Sequence, residues 1–187
     1  QIRLKIKKIK KKNKIFEKNL KYKYLDKLNF KLTNDQLNAI HDIEKDLKSK
    51  QRMFRLIQGD VGTGKTIVSL ISALNTIKSG YQVAFMVPTE ILAKQHYNFC
   101  SNFFDKDINV ELLVGKTEYS NKKIILKKLE DNKINLIIGT HSLFQKKIKF
   151  KKLGLIIIDE QHKFGVNQRM NLSNKGGHDC DVLVMSA

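Results

Sequence analysis

The chain has 187 residues, 41% apolar and 29% charged, enough to bury a sizeable core and unlike a disordered or fibrous composition. Its net charge of +18 argues against basic partners and admits a polyanion, the more so because twelve Lys and Arg3 stand against only Glu17 and Asp26 in residues 1–31. Cys100 and Cys180 lack paired spacing, no apolar run reaches the ~20 residues of a membrane span and no signal-peptide pattern opens the chain, so a soluble, cytoplasmic protein with no membrane partner is expected. The excess of Lys (32) over Arg (4), with plentiful Asn and Ile, is equally the mark of compositional drift, and both readings of the basic stretch stay open.

Residues 1–30 read as a basic, mostly helical linker, and 31–187 as one domain that stops short at its C-terminal end, a piece of something longer. Thr33 or Asn34 can cap a first helix whose apolar stripe is Leu37, Ile40, Ile43 (or Ala39) and Leu47. Met53 to Ile57 is a short strand. Ile67 to Ile77 is a helix closed by Gly80, Val83 to Val87 a strand closed by Pro88, and Thr89 caps a helix running to about Phe104. Val110 to Val114 is a strand, Glu118 to about Asp131 a helix, and Leu136 to Ile138 a strand ending in Gly139-Thr140. Leu155 to Ile158 is apolar without alternation, the habit of a strand covered on both faces, and Val182 to Met185 is the last strand. Six strands alternating with helices predict an α/β fold, a mostly parallel sheet with helices on both faces and ligands at the carboxyl ends of the strands.

Between the first strand and its helix, Gly59, Asp60, Val61, Gly62, Thr63, Gly64, Lys65 and Thr66 fit the phosphate-loop pattern G-x-x-x-x-G-K-[ST]. Its glycines leave backbone N–H groups bare enough to wrap a phosphate, Lys65 reaches the outer phosphates, Thr66 offers a hydroxyl to Mg²⁺, and the helix that follows points its positive end at the anion. Asp159 and Glu160 follow the buried run 155–158 and emerge at the same sheet edge. One acid there can hold Mg²⁺ and the other can orient or deprotonate a water attacking the γ-phosphate, which predicts ATP hydrolysis. The guanine signature Asn-Lys-x-Asp is absent, since Asn174-Lys175 runs into Gly176-Gly177, and a small-molecule kinase fits an Asp-Glu-x-His segment poorly. A motor-type ATPase remains.

Asp159-Glu160-Gln161-His162 with the phosphate loop resembles the superfamily-two helicases. The ordered set LTNDQ (32–36), GDVGTGKT (59–66), PTEILAKQH (88–96), GTHSL (139–143), IIDEQHKFGVNQR (157–169) and VMSA (184–187) closely resembles the RecG family of branched-DNA translocases, over about residues 30–187. Transcription-repair coupling factors and primosomal helicases are relatives, and the former usually carry Asp-Glu-Glu-His where this chain has Gln161. The resemblance implies a RecA-like P-loop NTPase fold, ATP and Mg²⁺ as cofactors, and action on forks and junctions in DNA repair and recombination. It implies that Gln36 contacts adenine, that Lys65 and Thr66 hold phosphates and Mg²⁺, that Asp159 binds the metal and that Glu160 activates water. His162 would link the γ-phosphate to Ser186 and so couple hydrolysis to motion. Pro88, Thr89, Glu90 and Gln95, with Gly139, Thr140 and His141, would line the DNA-facing edge. As partners it implies DNA, a second RecA-like domain carrying an arginine finger, and a wedge domain, so that this stretch alone should bind ATP yet hydrolyse it poorly. Two simpler readings stay beside it. A non-catalytic DNA-binding module would keep the fold and use only its lysines. His96, Tyr97 and Phe99 serve as packing residues more readily than as DNA contacts, Phe164 and Val166 as core, and His41 and His178 as surface.

Overall fold

The computed structural model describes residues 10–17, 19–145, 147–160 and 175–187. Its strands are β1 (Phe54–Gln58), β2 (Gln82–Met86), β3 (Val110–Leu113), β4 (Leu136–Gly139), β5 (Leu153–Ile158) and β6 (Asp181–Ser186). They form one six-stranded sheet in the order β1-β6-β5-β2-β4-β3, every pair parallel. The helices are α1 (Leu20–Leu25), α2 (Asn34–Lys48), α3 (Lys65–Lys78), α4 (Glu90–Phe103) and α5 (Tyr119–Glu130), with a 3₁₀ turn at His141–Phe144. Among the described residues, no helix is long and apolar enough to cross a membrane.

The helices begin where their caps dictate. The Thr33 side chain accepts from Gln36 N–H while the Gln36 side chain accepts from Thr33 N–H, a reciprocal capping box that starts α2. Thr89 accepts from Leu92 N–H and starts α4. The central strands are buried on both faces, so alternate residues enter two separate cores. Val83, Phe85, Leu155, Ile157 and Leu183 meet α1 to α4 on one face, and Ala84, Met86, Ile137, Ile156 and Val184 meet α5 and the 3₁₀ turn on the other. Of the stripe predicted for α2, Ile40, Ile43 and Leu47 are buried, whereas Leu37 is 39% exposed. It sits in the first turn, where the helix projects past the core beside Phe30 and Leu32.

The described part of the lead-in differs from its expected form. Among its described residues helix is confined to α1, and residues 11–17 run without regular structure across the amino ends of the strands. A buried cluster explains why. Lys11 Nζ and Lys14 Nζ each lie 2.6 Å from Asp181 Oδ2 at the start of β6, and Asp181 Oδ1 accepts from Met53 N–H at 2.7 Å. Lys11 Nζ also donates to the Asp46 and Leu47 carbonyls, and Lys14 Nζ to that of Asp179. Burial holds the Lys11 ammonium below the usual lysine range against the pull of Asp181. The periodicity of this stretch is broken because Lys11 and Lys14, as well as Phe16, face inward. Farther on, Lys21 pairs with Glu44, and Lys23 and Lys27 with Asp105. Five of the lysines in residues 10–27 thus neutralise acids of this same domain.

Candidate active site

β1 delivers the chain to the phosphate loop. Gly62 and Gly64 hold φ of 85° and 76°, left-handed conformations that side chains resist, and α3 starts directly after Gly64. Lys65 Nζ donates to the carbonyls of Gly59 and, at 2.8 Å, Asp60, so the lysine is folded against the loop it serves. Thr63 Oγ1 donates to the Asp60 carbonyl at 2.8 Å and narrows the turn. Thr66 follows in the first turn of α3, whose axis aims its N-terminal N–H groups at the loop. Gln36 lies over this structure: its Oε1 accepts from Thr33 N–H at 2.8 Å, and its Nε2 donates to the Thr63 carbonyl at 2.9 Å. A Cβ at Gly64 would stand 2.3 Å from Gln36 Nε2. The two motifs, 27 residues apart, form one cleft of about 480 Å³ lined by Thr33, Gln36, Gly59, Gly62, Thr63 and Lys65.

Strand order then arranges the remaining residues along the carboxyl edge. Ser186 is in register with Gln58, the residue before the phosphate loop, and its carbonyl accepts from Gly59 N–H at 3.2 Å. β5 lies on the other side of β6, and Asp159 leaves it with its N–H bonded to the Met86 carbonyl at 2.8 Å. Glu160 follows at φ 52°, an uncommon conformation for a non-glycine residue and one that turns the chain sharply off the strand. Next along the edge are Pro88 and Thr89 after β2, then Gly139 at the end of β4 with Thr140 and His141 after it, joined by a bond from Val87 N–H to the Gly139 carbonyl. Gly139 permits close packing: a Cβ there would lie 2.3 Å from the Leu113 carbonyl. Thr140 Oγ1 is buried without a hydrogen-bond partner, a polar atom with unused capacity beside exposed His141. Glu90 Oε1 accepts from Lys116 N–H at 3.3 Å and ties α4 to the loop after β3, while Gln95 is exposed on α4. His162 lies outside the described residues, as do Gln161, Phe164, Val166 and the rest of that motif to Arg169.

His96, expected from the sequence as a packing residue, is also a neighbour of Asp159. His96 Nε2 lies 3.5 Å from Asp159 Oδ2, and its ring packs 4.7 Å from that of Phe85. The signal was its place on the stripe Ala93, His96, Cys100 of α4, an inward-facing face on which a polar ring needs a partner. Among the described residues no three His, Cys, Asp or Glu side chains cluster as a metal site. One carboxylate at a strand end and one hydroxyl at a helix start suit a cation that takes its other ligands from water and phosphate.

Parallel strands, a glycine loop opening a helix, and an acid two strands away on the same edge define a RecA-like P-loop NTPase domain. The DEAD/DEAH box helicase family matches residues 33–187, and the chain belongs to it. The ATP-dependent DNA helicase RecG of Aquifex aeolicus is 52% identical over 167 residues, 88% of this chain and 21% of that protein, and that of Thermotoga maritima 49% identical over 172 residues, 91% and 22%. The structure of RecG bound to a three-way DNA junction superposes with a TM-score of 0.88 at 43% identity, over 100% of this chain and 25% of that one. The DEAD-box helicase Mss116 bound to ssRNA shares the fold, with a TM-score of 0.70 at 20% identity. The chain therefore spans about a fifth of the length of the curated relatives it matches and corresponds to a RecG first helicase domain.

Proposed function

We propose that this domain is the ATP-binding half of a DNA translocase that acts on forks and junctions in repair and recombination. The observation that carries this reading is the arrangement of one sheet edge: phosphate loop, Ser186, Asp159, then Thr89 and Gly139 to His141. Nucleotide residues occupy the β1-β6-β5 half and candidate DNA residues the β2-β4 half. The RecG structure with a three-way junction supports branched DNA as the partner.

In this reading the loop N–H groups and Lys65 hold the outer phosphates, Gln36 faces the base, and Thr66 with Asp159 holds Mg²⁺. When bound, Mg²⁺ neutralises charge that develops on the transferring phosphoryl group. His96 holds the Asp159 carboxylate in place, and Glu160, turned off β5, orients and deprotonates the attacking water. Ser186, hydrogen-bonded through its carbonyl to the first residue of the loop, lies where a change at the nucleotide would pass towards β2 and β4. Backbone N–H groups and the Thr89 hydroxyl suit phosphate oxygens, which position a motor without reading sequence. The share of the relatives' length left unmatched supports a second RecA-like domain and a wedge domain as further parts of the machine.

The test is ATP turnover by the full-length polypeptide with forked DNA, linear duplex or no DNA, beside its Lys65→Ala variant. Strong stimulation by the fork, abolished by the substitution, is expected. Equal stimulation by linear duplex would refute the branched-DNA reading, and turnover indifferent to DNA would refute a DNA motor.

A further inference from the structure

A groove lies at the end of the sheet opposite the phosphate loop, where β4 and β3 follow β2 in the strand order. It encloses about 520 Å³ between α5 and the segment after the 3₁₀ turn, lined by Tyr119, Lys122, Lys123, Leu126, Gln145 and Lys147. The α5 residues are spaced i, i+3, i+4 and i+7, so they form one stripe down the helix. Tyr119, in the first turn, is 85% exposed, the most open aromatic ring among the described residues. The opposite wall is held firmly. Lys122 Nζ donates to Gln145 Oε1 at 3.0 Å, and Lys175 Nζ donates to the Gln145 and Ile148 carbonyls at 2.6 and 2.7 Å.

Farther along α5, Lys128 pairs with Glu111. Among the described residues Lys122, Lys123 and Lys147 form no ion pair with a carboxylate. An aromatic ring open to solvent with unpaired cations one turn below it matches single-stranded nucleic acid, whose bases offer a free face and whose phosphates track a basic groove. A duplex hides those faces. The wall of the groove is also continuous with the proposed DNA edge, since Gln145 directly follows the turn that His141 begins.

We propose that this groove binds an unpaired DNA strand, with Tyr119 stacking on a base and Lys122, Lys123 and Lys147 holding the flanking phosphates. This rests on the reading of the domain as part of a DNA motor. It extends that reading by a strand site at the far end of the sheet, about five strand spacings or roughly 24 Å from β1.

Fluorescence anisotropy with labelled oligothymidylate across a salt series tests it. Tyr119→Ala should weaken single-strand binding roughly fivefold to a hundredfold and leave duplex binding unchanged. The triple variant Lys122→Gln/Lys123→Gln/Lys147→Gln should reduce the slope of log affinity against log salt by about 2, at ~0.7 per phosphate contact. A control removing three exposed lysines elsewhere, Lys50→Gln/Lys106→Gln/Lys133→Gln, should do far less. An equal loss in that control, or a silent Tyr119→Ala, would overturn the groove site while leaving the motor reading intact. A wild-type chain that binds no DNA would overturn both.

Discussion

Gly64 and Gly80 have nearly the same backbone conformation, φ 76° and 81°, and very different neighbours. Alanine at either carries the left-handed penalty of about 1–2 kcal/mol. At Gly80 nothing lies within 4 Å of the added carbon, whereas at Gly64 it strikes Gln36 Nε2. Both variants should therefore lose similar stability in urea melts, but only Gly64→Ala should lose nucleotide affinity, by tenfold or more with a fluorescent ATP analogue. Equal affinities would show that the Gln36 contact is incidental. The cysteines give a second residue-level expectation. Burial pushes the Cys100 and Cys180 thiols up to about 12. A raised folded-state pKa means that the unfolded chain ionises first, so this stabilisation is complete below about pH 9 and is lost as pH rises through 12, at up to ~1.4 kcal/mol per pH unit per thiol. Tyr24, pushed up to about 12, acts in the same direction above its ordinary value of 10, and Lys11, held low, acts in the opposite one. Urea midpoints should fall steadily above pH 9, and less steeply in a Cys100→Ala/Cys180→Ala protein. A slope unchanged by the double substitution would mean that the thiols do not govern the alkaline limit.

At the scale of elements, the strap of residues 10–17 is held by charge placed inside the fold. Removing the shared acid leaves two buried ammonium groups without a counter-ion, so Asp181→Asn should cost about 3–5 kcal/mol. Replacing the whole cluster with apolar residues, Lys11→Met/Lys14→Met/Asp181→Leu, should recover most of that loss, because desolvation and attraction nearly cancel when the cluster is intact. Equilibrium unfolding in urea decides it, and an Asp181→Asn protein within 1 kcal/mol of wild type would show that the cluster is hydrated in solution. The placement of β1 to β6 was legible because buried strands and capped helices are local patterns: Thr89 begins α4 and Leu155 to Ile158 sits inside β5. The strap was not legible, since nothing in the spacing of Lys11 and Lys14 tells of an acid about 170 residues away.

On the scale of the whole molecule, the two halves of the carboxyl edge are joined through β5 and β6, so nucleotide and DNA should influence one another. Coupling energies of this kind usually change affinity about 5- to 150-fold. A non-hydrolysable ATP analogue with Mg²⁺ should shift DNA affinity within that range, and Lys65→Ala should abolish the shift while leaving the binding that persists without nucleotide. DNA affinity that ignores nucleotide would reduce the domain to a basic platform.

The sequence by itself determined the phosphate loop, the acids after the fifth strand and the parallel α/β plan, because each depends on residues adjacent in the chain whose backbone or side-chain chemistry is unambiguous. The tertiary structure alone decided that Gln36 closes over Gly64, that His96 stands beside Asp159, that Ser186 bonds the start of the loop, and that α5 shares a groove with Gln145 and Lys147. It also decided that lysines legible only as net charge are spent inside the domain at Asp181 and left open beside Tyr119. The physical reason is strand order. Pairing β6 between β1 and β5 brings distant segments to one edge, and that pairing is settled by the cooperative burial of two sheet faces rather than by any local run of residues.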